Sequence, residues 1–135
     1  MKNKKKTFLA LCLTIFMLCG CQKSTRPLCR FVTQVDISCD HGNIPIRRHY
    51  TSTEKMEAVL LYLRLLRPGS APLVDPDKED ADIYQITVSL SDGEQHIYRQ
   101  KDHRYFRIEN YGWQSISPER ASRLYELLRH LQSDT

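Results

Sequence analysis

The sequence predicts an α+β fold: a single small domain with a mostly antiparallel sheet of about five strands and two helices on one face, in the order ββαβββα. Three observations support this class. Some segments alternate apolar and polar residues with a period of two, others repeat apolar residues every three or four positions, and short turn-forming sequences separate them.

The first two strands are predicted between Phe31 and Tyr50. The alternating apolar residues are Phe31, Thr33, Val35, Ile37 and Cys39, with polar residues between them, as in a half-buried strand. Residues 40–43 have turn composition. Pro45 lacks a backbone N–H and therefore restricts the returning strand, residues 44–50, to a sheet edge.

The first helix is predicted to begin near Thr51, which has capping-box spacing to Glu54, and to end at Pro68-Gly69. Its apolar stripe consists of Met56, Val59, Leu60, Leu63 and Leu66. Leu61 and Leu65 widen this stripe, so we expect a well-covered helix. Residues 70–81 are predicted to form a solvated acidic loop. Calcium is disfavoured there because the glycine and glutamate of an EF-hand are out of register.

The second half of the chain is predicted to form a three-stranded meander and a helix. The strands are residues 83–90, 95–100 and 104–109. Asp92-Gly93 predicts a type I′ hairpin between the first two, because both central residues of that turn need positive φ. Ser117-Pro118-Glu119 predicts a helix start, and the stripe that follows is Ala121, Leu124, Leu127, Leu128 and Leu131.

The N-terminus has the layout of an export signal. Four lysines precede an apolar run of 11 residues, from Phe8 to Leu18, which is too short for a permanent membrane span. The next residues, Leu18-Cys19-Gly20-Cys21, resemble the bacterial lipobox. The resemblance implies a lipid on Cys21 and cleavage just before it, and two acyl chains give stable anchoring. We expect a signal peptide at 1–20, a tether at 21–28 and the α+β domain at 29–135.

Cleavage changes the charge of the protein. The chain has 20 basic and 16 acidic side chains, and the signal carries four of the basic ones and no acid, which leaves 16 of each. A nucleic-acid-binding domain normally carries a clustered basic surface, so we expect no nucleic-acid partner. The mature chain, 135 residues less 20, is large enough for one domain with its own core.

No catalytic motif supports an enzyme. The chain has no Gly-x-Ser-x-Gly elbow, glycine-rich phosphate loop or His-Glu-x-x-His, and no paired zinc-ligand spacing. We therefore expect no catalytic activity, no cofactor and no bound metal. Cys39 and His41 are close in sequence and define the alternative hypothesis, an extracytoplasmic enzyme or metal-dependent protein. A disulfide with Cys29 is not expected, because an intervening strand would hold the two Cα atoms roughly 33 Å apart.

The favoured functional candidate is a tyrosine and arginine patch on the sheet face away from the helices. It requires the second strand and the meander to be neighbours. The patch residues are Arg47, Arg48, Tyr50, Tyr98, Arg99, Arg104 and Tyr105. Such side chains are enriched where proteins contact partners. The alternative is an ordinary sheet surface that faces water.

The body also resembles small lipoproteins of clostridium-like bacteria, through Thr53-Glu54-Lys55-Met56, Tyr62-Leu63-Arg64 and Ser91-Asp92-Gly93. The resemblance implies membrane anchoring and no particular activity. We therefore predict a membrane-anchored extracytoplasmic lipoprotein that acts as a non-catalytic binding or accessory module, with a protein, an envelope polymer or an anionic surface as partner.

Overall fold

The fold is described by a computed structural model that covers residues 31–40 and 45–134. The strands are β1 (Val32–Cys39), β2 (Ile46–Tyr50), β3 (Ile83–Leu90), β4 (Gln95–Lys101), β5 (Tyr105–Ile108) and β6 (Gln114–Ser115). The helices are α1 (Thr53–Leu66), α2 (Pro118–Ala121) and α3 (Arg123–His130), with a 3₁₀ turn at Pro76–Lys78. The predicted signal, Cys21, the tether, Cys29 and His41 lie outside the described residues.

The strands form one antiparallel sheet in the order β2-β1-β3-β4-β5-β6. The predicted α+β class is confirmed. The sheet has six strands rather than about five, because β6 adds a two-residue strand that the sequence pattern did not predict. The edge position expected for the strand after Pro45 is confirmed, since β2 pairs only with β1.

One face of the sheet forms the core. On β1 the buried side chains are Val35, Ile37 and Cys39, which confirms the predicted alternation for these three, whereas Phe31 and Thr33 are exposed where the register shifts between Val32 and Gln34. Val35 lies opposite Tyr50 of β2 and Val88 of β3, so the apolar side chains continue from strand to strand. Because period-two alternation puts every second side chain on the same face, this register aligns one apolar surface.

Two helical segments cover that face. From α1 the buried side chains are Met56, Val59, Tyr62, Leu63 and Leu66, and the C-terminal segment contributes Ala121, Leu124 and Leu128. The predicted start of the C-terminal segment is confirmed, because the Ser117 hydroxyl accepts from the Arg120 N–H and Pro118 follows the cap. Within the described residues, no helix has the length and apolar character needed to cross a bilayer.

The N-terminal cap of α1 differs from the prediction, whereas the helix ends at Leu66, just before the predicted stop at Pro68-Gly69. The helix has no side-chain cap of its own. Instead, one carboxylate oxygen of Asp134 accepts from the backbone N–H groups of Thr51 and Ser52, both at 2.8 Å, and the other lies 2.9 Å from the Lys55 ammonium. The Thr51/Glu54 capping box is therefore wrong. At the other end Arg67, not a glycine, adopts the left-handed conformation at φ 46°.

The turn between β3 and β4 is not the predicted type I′ turn. Gly93 has a φ of 90°, whereas Asp92 does not have a positive φ. The Gly93 N–H donates to the Leu90 carbonyl at 3.0 Å, and the Leu90 N–H donates to the Glu94 carbonyl at 2.8 Å. A longer loop with one left-handed glycine joins these strands, so one glycine provides all the positive φ the turn needs.

A polar network crosses the core between the sheet and both helical segments. Gln100 of β4 is completely buried. Its side-chain oxygen accepts from the Tyr62 hydroxyl, and its side-chain nitrogen donates to the carbonyls of Ala121 at 3.2 Å and Asp102 at 3.1 Å. Burial raises the pKa of Tyr62, so its hydroxyl stays protonated and donates. The network thereby satisfies the buried amide.

We expect Tyr62→Phe to destabilise the protein by about 1–3 kcal/mol, because the buried Gln100 oxygen would lose its donor. Urea unfolding followed by circular dichroism measures this. The matched control is Tyr111→Phe, which removes a hydroxyl from a side chain that is 57% exposed. Equal stability of the two variants would contradict the assigned role of the network.

Asp134 should make the stability pH-dependent. The Ser52 N–H, the Lys55 ammonium and the Thr51 N–H hold its pKa well below the ordinary value of 3.8. A lowered carboxylate pKa stabilises the fold above the unfolded-state pKa, and this stabilisation is lost as the pH falls. Asp134→Ala should therefore unfold at lower urea than the unsubstituted chain at pH 7, and the gap should narrow from about pH 4 towards pH 2. Glu126→Ala, at an exposed carboxylate, is the control, and a gap independent of pH would refute the cap.

Candidate functional site

The sheet face away from the helices carries one continuous row of polar side chains. Arg47 lies opposite Ser38, Ser38 opposite Gln85, Gln85 opposite Arg99, and Arg99 opposite Arg107. The row crosses five strands, from the β2 edge to β5. It exists because these residues alternate with core residues, so the period that buries their neighbours turns them outward.

Arg99 and Arg107 form the most unusual part of the row. They lie directly opposite each other on β4 and β5. In the part of the chain that the structure describes, neither guanidinium forms an ion pair with a carboxylate. The Arg107 guanidinium lies 5.2 Å from the centre of the Trp113 ring, and its buried Nε has no hydrogen-bond partner among these residues. Two like charges therefore adjoin each other, and neither belongs to an ion pair among the described residues.

The β2 end of the row is electrically compensated. Arg47 pairs with Asp40, and both side chains are exposed. In the adjacent row, Nδ1 of His49 lies 2.7 Å from a carboxylate oxygen of Asp36. Arg99 and Arg107, by contrast, form no ion pair among the described residues.

An acidic strap, defined as residues 75–80, covers the other end of the same face. Its backbone carbonyl at Pro76 accepts from the Lys101 ammonium, and Lys101 is buried. The Tyr105 hydroxyl donates to Glu79 at 3.1 Å, and the Trp113 indole donates to Asp77 at 3.0 Å. The expectation that all of these acids are solvated is therefore wrong for Glu79, which is partly buried against Tyr105, whereas Asp77 stays exposed while it contacts Trp113.

The predicted tyrosine and arginine patch is not assembled as expected. Its two source strands, β2 and β4, are separated by β1 and β3 and are not neighbours. Arg48, Tyr50 and Tyr98 belong to the core face, since they pair with or adjoin core residues in register. Tyr50 is fully buried and donates to the Leu131 carbonyl at 2.9 Å. Arg48 donates to the Leu128 carbonyl at 3.4 Å.

The remaining predicted residues divide into two pairs. Tyr105 is on the open face but is buried under the acidic strap, and Arg104 lies 3.9 Å from a carboxylate oxygen of Glu79. Arg47 and Arg99 are on the open face as predicted, and they lie in the same row. Only these two of the predicted residues thus remain as candidates on the open face.

Arg107 is the residue that the sequence interpretation missed. A signal for it was present, because Phe106 and Ile108 are apolar and Arg107 between them must face the other way. In the β4–β5 hairpin Lys101 pairs with Tyr105, and the same register places Arg107 opposite Arg99.

The alternative site at Cys39 and His41 is only partly described. Cys39 is 2% exposed and belongs to the core face of β1, so a substrate could not reach its sulfur without opening the core. His41 lies outside the described residues. Among residues 31–40 and 45–134, no three His, Cys, Asp or Glu side chains are grouped in a way that could hold a metal ion.

Among the described residues, the open face is therefore a surface of charged and polar side chains, with an arginine pair beside a tryptophan. Comparison of the chain with protein-family models, with curated proteins and with solved structures gives no match.

Proposed function

We propose that this chain is an extracytoplasmic lipoprotein, anchored to the membrane through lipid on Cys21, that acts as a non-catalytic binding module for an anionic envelope polymer. The observation that carries the binding role is the Arg99–Arg107 pair on the open sheet face, which has no carboxylate partner among the described residues. The anchor is supported by the lysine-rich start, the short apolar run and the lipobox-like Leu18-Cys19-Gly20-Cys21.

Electrostatics favours an anion at this pair. Like charges directly opposite on neighbouring strands destabilise a sheet by roughly 0.2–1 kcal/mol, and a bridging anion removes that repulsion. Guanidinium groups bind phosphate and carboxylate through two parallel hydrogen bonds, which gives them geometric selectivity as well as charge. Trp113 holds the Arg107 side chain in position by stacking.

The row also suits an extended ligand. Strands are spaced about 4.8 Å apart, so the distance from Arg107 to Arg47 across the sheet is roughly 19 Å. Ser38 and Gln85 lie between the two ends and offer hydroxyl and amide groups. A polymer with repeated anionic groups can contact the arginine pair at one end and these polar groups along its length.

The equal numbers of basic and acidic side chains in the mature chain favour recognition of the polymer by a few arginines rather than by net charge. The two numbers become equal once the signal is removed, so net charge does not attract the ligand. Affinity for the polymer should then depend on Arg99 and Arg107, with Arg47 at the other end of the row. An anchored module would hold such a polymer close to the membrane, within the roughly 30 Å that residues 22–30 can span when extended.

The anchor predicts that Cys21→Ala abolishes lipid attachment. Cells fed radiolabelled palmitate should label the unsubstituted protein and not this variant, and the variant should leave the membrane fraction once its signal is cut. Cys29→Ala is the matched control, because it removes a nearby cysteine outside the lipobox-like motif. Label on the Cys21→Ala protein, or its undiminished retention in the membrane fraction after its signal is cut, would refute the anchor.

The binding role predicts that the chain from Gln22 onward binds long-chain polyphosphate. The sheet and its core consist of residues 31–134, so this chain retains what folding requires. Trp113 is the only tryptophan, so its fluorescence should change on binding. Calorimetric titration should show affinity reduced about tenfold by Arg99→Gln and by Arg107→Gln, because each removes a charge-assisted contact.

Arg129→Gln is the matched control for that titration, because it makes the same change at an exposed position on α3. Neutral dextran replaces polyphosphate in the control titration. A further titration with polyglutamate in place of polyphosphate tests whether the arginine pair binds carboxylate groups as well as phosphate groups. Equal losses from Arg129→Gln and Arg99→Gln, or binding of dextran, would refute recognition by the arginine pair.

A further inference from the structure

A second concave surface lies on the helical side of the domain. A groove of about 320 Å³ runs between α1 and the C-terminal helical segment, and no sheet residue lines it. The apolar residues along it include Leu61 and Leu65 of α1 with Leu127 and Leu131 at the end of α3. The groove is therefore on the opposite side of the domain from the Arg99–Arg107 pair.

The α1 wall of the groove is incompletely covered. Leu61 is 43% exposed and Leu65 is 37% exposed, and they are four residues apart on one side of the helix. The prediction that these leucines widen a well-covered stripe is wrong, because the C-terminal segment packs against Tyr62 and Leu66 and stops short of them. Two large apolar side chains at this spacing match the anchor positions by which helices recognise helices.

The charged rim of the groove is mainly basic. Arg120, Arg123 and His130 line it, against the single acid Glu126. Both arginines are exposed, and neither forms an ion pair within the described part of the chain. The groove thus combines an apolar wall with unneutralised positive charge.

We propose that this groove binds an acidic amphipathic helix of a partner protein. Leucine-like side chains of that helix would pack against Leu61, Leu65 and Leu127, and its carboxylates would pair with Arg120 and Arg123. The occupant would form a third helix beside α1 and α3, which is the arrangement in which helix-binding grooves bury an apolar stripe. The inference concerns a face that the proposed polymer site does not use, so it does not depend on that function.

The charge and shape of the groove disfavour three other occupants. The chain's own residues 22–30 carry Lys23, Arg26 and Arg30 and no acid, so they have the same sign as the rim. A second copy would bring a basic rim against a basic rim. A flat bilayer surface contacts protruding side chains better than the inside of a groove.

The test uses the chain from Gln22 onward and a fluorescein-labelled peptide of about 18 residues, long enough for roughly five helical turns. The peptide has leucines at helical spacing on one face and glutamates on the other. A basic peptide with lysine for every glutamate is its matched control. Fluorescence anisotropy should give a Kd of roughly 1–10 μM for the acidic peptide and at least about tenfold weaker binding of the basic one.

Variants then locate the binding. Leu61→Asp and Arg123→Glu should each weaken binding of the acidic peptide about tenfold or more. Leu73→Asp and Arg129→Glu are the controls, because they make the same changes at exposed positions outside the groove, and they should change affinity less than about twofold. Circular dichroism and urea unfolding confirm that each variant is folded.

Several results would overturn the proposal. These are equal binding of the acidic and basic peptides, equal effects of Arg123→Glu and Arg129→Glu, and no measurable binding of the acidic peptide. Binding of phosphatidylglycerol vesicles that Leu61→Asp abolishes, without peptide binding, would assign the groove to the membrane. Dimerisation in sedimentation that Leu61→Asp abolishes, again without peptide binding, would assign it to a second copy.

Discussion

Burial of one face of a six-stranded sheet under two helical segments is the constraint on which the rest of the structure depends. Val35, Ile37 and Ile86 lie near the middle of the strand order, and they are almost completely buried. Burial of side chains of this size is worth about 1.5–3 kcal/mol each. Two helical segments can cover only one face, so the other face of the sheet keeps polar side chains.

Segments remote in sequence protect the parts of the sheet that the helices leave uncovered. At the β2 edge, the Asp134 N–H donates to the His49 carbonyl at 2.8 Å, and the His49 N–H donates to the Ser133 hydroxyl at 3.0 Å. Residues 133 and 134 thus occupy hydrogen-bonding groups that an edge strand would otherwise offer to another chain. The acidic strap covers part of the open face near β5 through side-chain hydrogen bonds from Tyr105 and Trp113.

The distribution of charge explains why the two proposed surfaces differ in kind. Residues 21–135 carry equal numbers of basic and acidic side chains, yet several acids close to the open face and to α1 are already engaged, as Asp36, Asp77, Glu79 and Asp134 show. The arginines without partners among the described residues therefore stand out locally. On the flat sheet they adjoin polar side chains, which suits an extended anionic polymer. Beside the groove they adjoin exposed leucines, which suits an amphipathic helix.

The sequence by itself determined the type of nearly every element and the face on which most side chains lie. The period-two pattern identified Val35, Ile37 and Ile86 as core, and Pro45 placed β2 at an edge, because these properties depend on residues within a few positions of one another. Tertiary structure alone decided that β1 and β3 separate β2 from β4, so the predicted patch is not assembled. Of its residues, only Arg47 and Arg99 remain as candidates on the open face. Tertiary structure also decided that Asp134 caps the start of α1 and that the acidic strap contacts Tyr105 and Trp113. Strand order and contacts between residues far apart in the chain depend on packing of the whole core, and no local period encodes them.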